Sequence, residues 1–140
     1  MKFWDSSAIV ALLVEEPGTP ARLGLLEVDP ALAVWWNSPV ECESAIQRRL
    51  RDGELGDEGA RQARERLADL ASAWQEVIPT NQVRTLAVRL LRTHPLRAAD
   101  SLQLAAALVL SAALGHGLDF VCADARLNRA AEIEGLRVVS

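Results

Sequence analysis

The stretch Met1-Lys2-Phe3-Trp4-Asp5-Ser6-Ser7-Ala8-Ile9-Val10 decides how the rest of the chain is read. It describes a short apolar strand that ends in an acid and runs straight into an apolar helix. In open parallel α/β sheets, ligands bind in the crevice beyond the carboxyl ends of the strands, so Asp5 is a candidate site residue. Asp and Ser are also favoured helix N-caps, and Asp5 is equally suited to that role. The choice depends on what the remaining residues bring to the same edge.

The 140 residues fit one domain, 1–140, long enough to bury about two-thirds of the extended surface in a single core. Half of them are apolar, and no linker or low-complexity run divides them, which excludes disorder as the main description. No basic region followed by an apolar core opens the chain, so a cytoplasmic protein is expected. Cys42 and Cys122 lack CxxC or Cys/His spacing and read as buried free thiols. A net charge of −4 does not announce a nucleic-acid binder. Lys2 is the only lysine among the basic residues, and arginine suits bidentate phosphate contacts. A local basic rim is compatible with an acidic centre.

The pattern alternates strands and helices. Ala8 to Leu13 is helical and stops near Glu15-Glu16-Pro17-Gly18. Thr19 is expected to cap a second helix with Pro20 at its first position, and Leu23, Leu25 and Leu26 facing inward. Ala31 to Trp36 reads as a buried strand. A helix follows Asn37-Ser38-Pro39, carries Glu41 in its first turn, and ends in the cluster Arg48, Arg49, Arg51. After a loop at 52–56, the apolar repeat from Ala60 through Ala63, Leu67 and Leu70 to Trp74 completes a helical hairpin. Arg61, Arg64 and Arg66 on it are expected to be solvated, locally paired charges. Glu76 to Pro79 is expected as a third strand and Asn81 to Leu91 as a helix. Leu96 to Leu114 is a buried helix too short in its uncharged part for the roughly 20 residues of a membrane span. His94 and His116, beside Pro and Gly, are loop residues. Asp119 to Ala123, a helix opened by Asp124 and capped by Gly135, and Leu136 to Val139 complete the series. No tight turn joins two strands, so the expected fold is α/β with a mainly parallel five-stranded sheet flanked by helices, plus the hairpin.

Asp5, Glu41, Asp100 and Asp124 then fall at one edge of that sheet. Each has a structural role available to it, as a cap or as a first-turn acid favoured by the helix dipole. Convergence of all four would be costly without a counter-charge. Adjacent carboxylates at about 4 Å repel by roughly 4 kcal/mol per pair at an effective dielectric near 20. Hard divalent ions such as Mg²⁺ or Mn²⁺ relieve this through carboxylate oxygens and leave positions for a substrate phosphate. Such an ion activates water and stabilises charge on phosphoryl oxygens, so the implied chemistry is metal-dependent phosphodiester hydrolysis. There is no Gly-rich phosphate loop and no HExxH.

Four segments, Phe3-Trp4-Asp5-Ser6-Ser7-Ala8, Ser38-Pro39-Val40-Glu41-Cys42-Glu43-Ser44-Ala45, Leu96 to Ala105 and Phe120 to Leu127, resemble in order the motifs of PIN domains. The likeness is greatest to VapC-type toxins of toxin-antitoxin modules. It implies a PIN-like three-layer fold, a Mg²⁺- or Mn²⁺-dependent endoribonuclease, a homodimer and a cognate antitoxin that blocks the site. It also implies that Asp5, Glu41, Asp100 and Asp124 are catalytic, metal-binding acids, with Ser7 supporting Asp5 or a water on the metal. Glu41 rather than Glu43 matches, because the family's acid stands three residues before the Ser-Ala pair. Cys122 stands where many relatives have Ser or Thr. Arg126 stands where some have a further Asp, which leaves one or two metal ions open. Arg97 and Arg126 are candidates for RNA phosphate contacts or for ordinary salt bridges. Two other readings stand beside the nuclease. One is a non-catalytic interaction module that uses the hairpin seam. The other is a small-molecule phosphatase, disfavoured because Ser7 occupies the place of the second Asp such enzymes use.

Overall fold

In the computed structural model, which describes residues 1–140, Phe3 and Trp4 are wholly buried on opposite faces of strand β1 (Lys2–Trp4). That alternation fixes two cores, one on each side of the sheet. The remaining elements are α1 (Ser6–Leu13), α2 (Thr19–Val28), β2 (Leu32–Trp35), α3 (Ser38–Arg51), α4 (Asp57–Ala71), β3 (Gln75–Val77), α5 (Asn81–Thr93), α6 (Ala98–Leu114), β4 (Asp119–Val121), α7 (Ala125–Ile133) and β5 (Arg137–Val139). The strand order is β3-β2-β1-β4-β5 and every pairing is parallel. β1 is central, with Phe3 opposite Ala33 on one side and Phe120 on the other.

One core holds Phe3, Trp35, Leu90, Leu104, Phe120 and Leu127 beneath α5, α6 and α7. Phe3 and Phe120 stack with ring centroids 5.9 Å apart. The other core holds Trp4, Ile9, Leu13, Val34 and Ile46 beneath α1, α3 and α4. The strand order reverses at β1, since the chain moves outward to β2 and β3 and then returns to β4. The crevice at this switch point lies above the carboxyl ends of β1 and β4, where Asp5 and Asp124 follow their strands.

Several local expectations need correction. Thr19 is the first residue of α2 rather than its cap, and its hydroxyl donates to the carbonyls of Ala11 and Val14 while accepting from the Glu16 N–H. It closes the turn between α1 and α2. Leu23 is 45% exposed, whereas Arg22 is buried and donates through Nη2 to the Cys122 carbonyl at 3.2 Å. The inward face of α2 is therefore turned toward a polar strand end as well as toward α1. α4 ends at Ala71, three residues before Trp74. Trp74 is buried beyond the helix, with its indole N–H donating to Glu76. β3 ends at Val77, and Ile78 is exposed. Arg61 does pair locally with Glu58 and Glu65, but Arg64 reaches Glu43 on α3 and Arg66 donates to the Leu13 carbonyl. His94 lies in the loop after α5 as expected, where it caps that helix and is buried.

The hairpin seam faces inward. Ala60 and Ala63 are buried, and Leu67 and Leu70 pack against the core of α1 and α3. Both cysteines are buried free thiols. No helix is long and apolar enough to cross a membrane.

Replacing Phe3 with Ala is expected to destabilise the fold by about 3–5 kcal/mol through cavity formation. Leu23→Ala is expected to fall within about 0.5 kcal/mol of the parent. Urea denaturation of both variants checks the pair.

Candidate active site

The site begins where β1 stops. Asp5 is 3% exposed, and its Oδ2 accepts hydrogen bonds from the Ser7 N–H, the Ser7 hydroxyl and the Cys122 thiol. Its other oxygen, Oδ1, takes no hydrogen bond from the protein and is not sealed from solvent. Asp124 is divided in the same way. Its Oδ1 accepts from the N–H groups of Arg126 and Leu127 at 2.8 and 3.0 Å and caps α7, while Oδ2 is free. Each acid secures its own element with one oxygen and presents the other, so capping and site roles coexist.

Glu41 arrives from the first turn of α3. Ser6 donates to its Oε2 at 2.7 Å, and Gln103 donates to Oε1 at 3.2 Å. Glu43 points elsewhere, bound to Gln47 and Arg64. Of the two glutamates, Glu41 is the one that shares electrostatic space with Asp5 and Asp100. Asp100 stands in the first turn of α6, half-buried, near Arg97.

The electrostatics bind the four into one group. Burial raises the Asp5 carboxyl above 3.8, opposed by the Ser7 and Cys122 hydrogen bonds and reinforced by Asp124. Burial likewise raises Glu41 above 4.5, with Asp5 and Asp100 adding to it. Asp100 is raised by burial and then by Asp5 and Asp124. Burial also pushes the Cys122 thiol well up, so it remains an S–H donor toward Asp5.

This all-oxygen set matches a hard divalent ion in kind. No three His, Cys, Asp or Glu side chains yet stand together as a chelating group. Binding an ion therefore requires carboxylates to turn toward a common point, and the free oxygens of Asp5 and Asp124 are the ones available to do so. Arg97 and Arg126 line a cavity with Asp100 and Asp124, and neither forms an ion pair. Ser7 supports Asp5, as its position in the motif implied.

The sequence reading missed Gln103. It is wholly buried, and its Nε2 lies 3.2–3.3 Å from the hydroxyls of Ser6 and Ser38 as well as from Glu41. The signal was its place one turn beyond Asp100, as the sole polar side chain between Leu102 and Leu110.

A parallel α/β sheet with acids gathered at its topological switch point defines a class of proteins whose ligands bind in that crevice. The PIN domain model matches residues 2–133, and the chain belongs to the PIN domain family. Ribonuclease VapC45 of Mycobacterium tuberculosis is 32% identical over 137 residues, covering 97% of this chain and 92% of that protein. The fold is also that of the M. tuberculosis VapC20 crystal structure, a sarcin-ricin loop cleaving toxin (TM-score 0.68, 17% identity, 93% and 95% coverage). A toxin-antitoxin complex from Klebsiella pneumoniae gives TM-score 0.68 at 14% identity, with 100% and 97% coverage.

Because Asp5, Glu41 and Asp100 titrate higher in the fold than their ordinary values of 3.8 and 4.5, stability is greatest where they are protonated. It is lost as pH rises through the raised values. In chelator, Asp5→Asn is expected to raise the thermal midpoint near neutral pH, with the gain vanishing toward pH 3.8. Calorimetric melting across that range measures it.

Proposed function

We propose that this chain is a divalent-metal-dependent endoribonuclease, the toxin half of a toxin-antitoxin pair. The observation that carries the reading is the gathering of Asp5, Glu41, Asp100 and Asp124 at the carboxyl edge of the sheet, where burial first and neighbouring carboxylates second raise Asp5, Glu41 and Asp100. The ribonuclease name of the VapC45 relative supports RNA as the substrate.

Asp5, Asp100 and Asp124, with Glu41 next to them, would hold Mg²⁺ or Mn²⁺. When bound, the ion supplies an activated water and charge stabilisation on the phosphoryl oxygens. Arg97 and Arg126 bind the substrate's phosphates on the open side of Asp100 and Asp124. Ser7 and the Cys122 thiol keep Asp5 oriented. Gln103 and Ser6 hold the Glu41 carboxylate, whose raised proton affinity suits it to accept a proton from the attacking water.

A cognate antitoxin is proposed as the partner that covers this site in the cytoplasm, a reading supported by the toxin-antitoxin complex that shares the fold. A second copy of the chain is a further proposed partner. Trp36 and Ile78, apolar and exposed where β2 and β3 end, support it. Light scattering is expected to give a dimer for the parent and a monomer for Trp36→Arg, and a parent monomer would overturn the dimer. The interaction-module reading finds no support in the hairpin, whose seam is spent on the chain's own core.

Purified protein is expected to cleave single-stranded RNA in Mg²⁺ or Mn²⁺ and to stop in EDTA. Asp5→Asn and Asp100→Asn should lower kcat by at least about a hundredfold, the order lost when a key transition-state stabiliser is removed. Gel analysis of labelled RNA decides the matter, and cleavage that persists in EDTA and in both variants would sink the proposal.

A further inference from the structure

Two cavities flank the acids. One, of about 500 Å³, runs between α1 and α3 and is lined by Ser6, Ser7, Glu41 and Arg48 among others. The second, of about 810 Å³, lies on the far side against Asp100, Asp124, Arg97 and Arg126. Only Arg48 and Ala123 line both, so Arg48 stands where the two join into one groove across the acidic centre. Its position follows from the helix, since residue 48 is two turns beyond Glu41 and shares its face.

The charge of Arg48 is uncommitted. The adjacent Arg49 is tied to Glu16 at 2.6 Å, whereas Arg48 is exposed and forms no ion pair, even with Asp52 four residues on. An unpaired guanidinium at the middle of a groove, with two more at one end, complements a chain of phosphates rather than a single anion. Resting on the RNA-cleaving reading above, we propose that Arg48 is a phosphate-binding residue for a single RNA strand laid along the joined cavities. Arg97 and Arg126 hold the strand on one side of the scissile phosphate, and Arg48 holds it on the other.

The test measures binding apart from cleavage. Fluorescein-labelled single-stranded RNA is titrated by anisotropy into full-length Asp5→Asn protein in EDTA, over a range of monovalent salt. Each phosphate contact contributes about 0.7 to the slope of log affinity against log salt for single strands. Arg48→Ala is expected to reduce the slope by about 0.7. Arg48→Lys should retain it, and Arg51→Ala, exposed on the same helix but outside both cavities, should leave it unchanged. Melting midpoints should match throughout, because the side chain is solvated. In the otherwise unaltered chain with metal, Arg48→Ala should raise KM and leave kcat in place. An Arg48→Ala slope equal to that of the parent, or no RNA binding by the parent, would overturn the proposal. Unimpaired cleavage by Asp5→Asn would instead defeat the nuclease reading, while the slopes still decide on Arg48.

Discussion

Burial of the Asp5 carboxylate at the end of the central strand is the constraint from which the rest of the structure follows. A carboxylate at 3% exposure is tolerated only with donors around it. The chain supplies them from both ends of its sequence, through Ser7 at the start of α1 and Cys122 after β4. Those contacts fix the helix that leaves β1 and the turn that leaves β4. The turn carries Asp124, and its carbonyl at Cys122 is held further by Arg22 and Asn128. One buried carboxyl group thus aligns the start of α1 with the turn after β4, more than a hundred residues away in sequence.

Burial and neighbouring carboxylates both act against ionisation of the group around it. Ser6 and Gln103 donate to Glu41 from inside, and Gln103 also donates to the Ser38 hydroxyl, so that acid is held by the protein's own donors. Asp100 and Asp124 line the open groove, and Asp124 is held there by the backbone N–H groups of Arg126 and Leu127 on one oxygen only. Three arginines without an ion pair, Arg48, Arg97 and Arg126, line this opening. Arg49, at the edge of the same opening, is occupied with Glu16, and Arg61, Arg64 and Arg137 are occupied with carboxylates elsewhere. The net charge of −4 therefore conceals a division between an acidic floor and a basic rim.

Much of this was legible in the residues. Acids that follow strands or open helices are visible as punctuation, because capping and strand termination are local. The alternation of apolar runs gave the parallel sheet for the same reason. What stayed hidden depends on contacts distant in sequence. Leu23 and Arg22 are neighbours on one helix, and only the position of the Cys122 carbonyl decides that the arginine turns in. Trp74 completes the hairpin's apolar repeat on paper, yet it is fixed by packing beyond the helix end. Gln103 looks like an interruption in an apolar helix until Ser6, Ser38 and Glu41 are brought around it. Arg48 belonged to a basic cluster with Arg49 and Arg51, and only the fold separates the three.

The parallel register of β1 on β4, with Lys2, Phe3 and Trp4 opposite Asp119, Phe120 and Val121, has a temporal meaning. As the chain leaves the ribosome, β1 appears first and its neighbour on that side follows more than a hundred residues later. At about 5–20 residues per second, the interval is on the order of ten seconds. β2 can pair with β1 early, but the Cys122 thiol and the Asp124 carboxylate are absent until β4 has emerged. The acidic centre is thus assembled only after β4 has emerged, and until then the nascent chain remains without it beside ribosomal and messenger RNA.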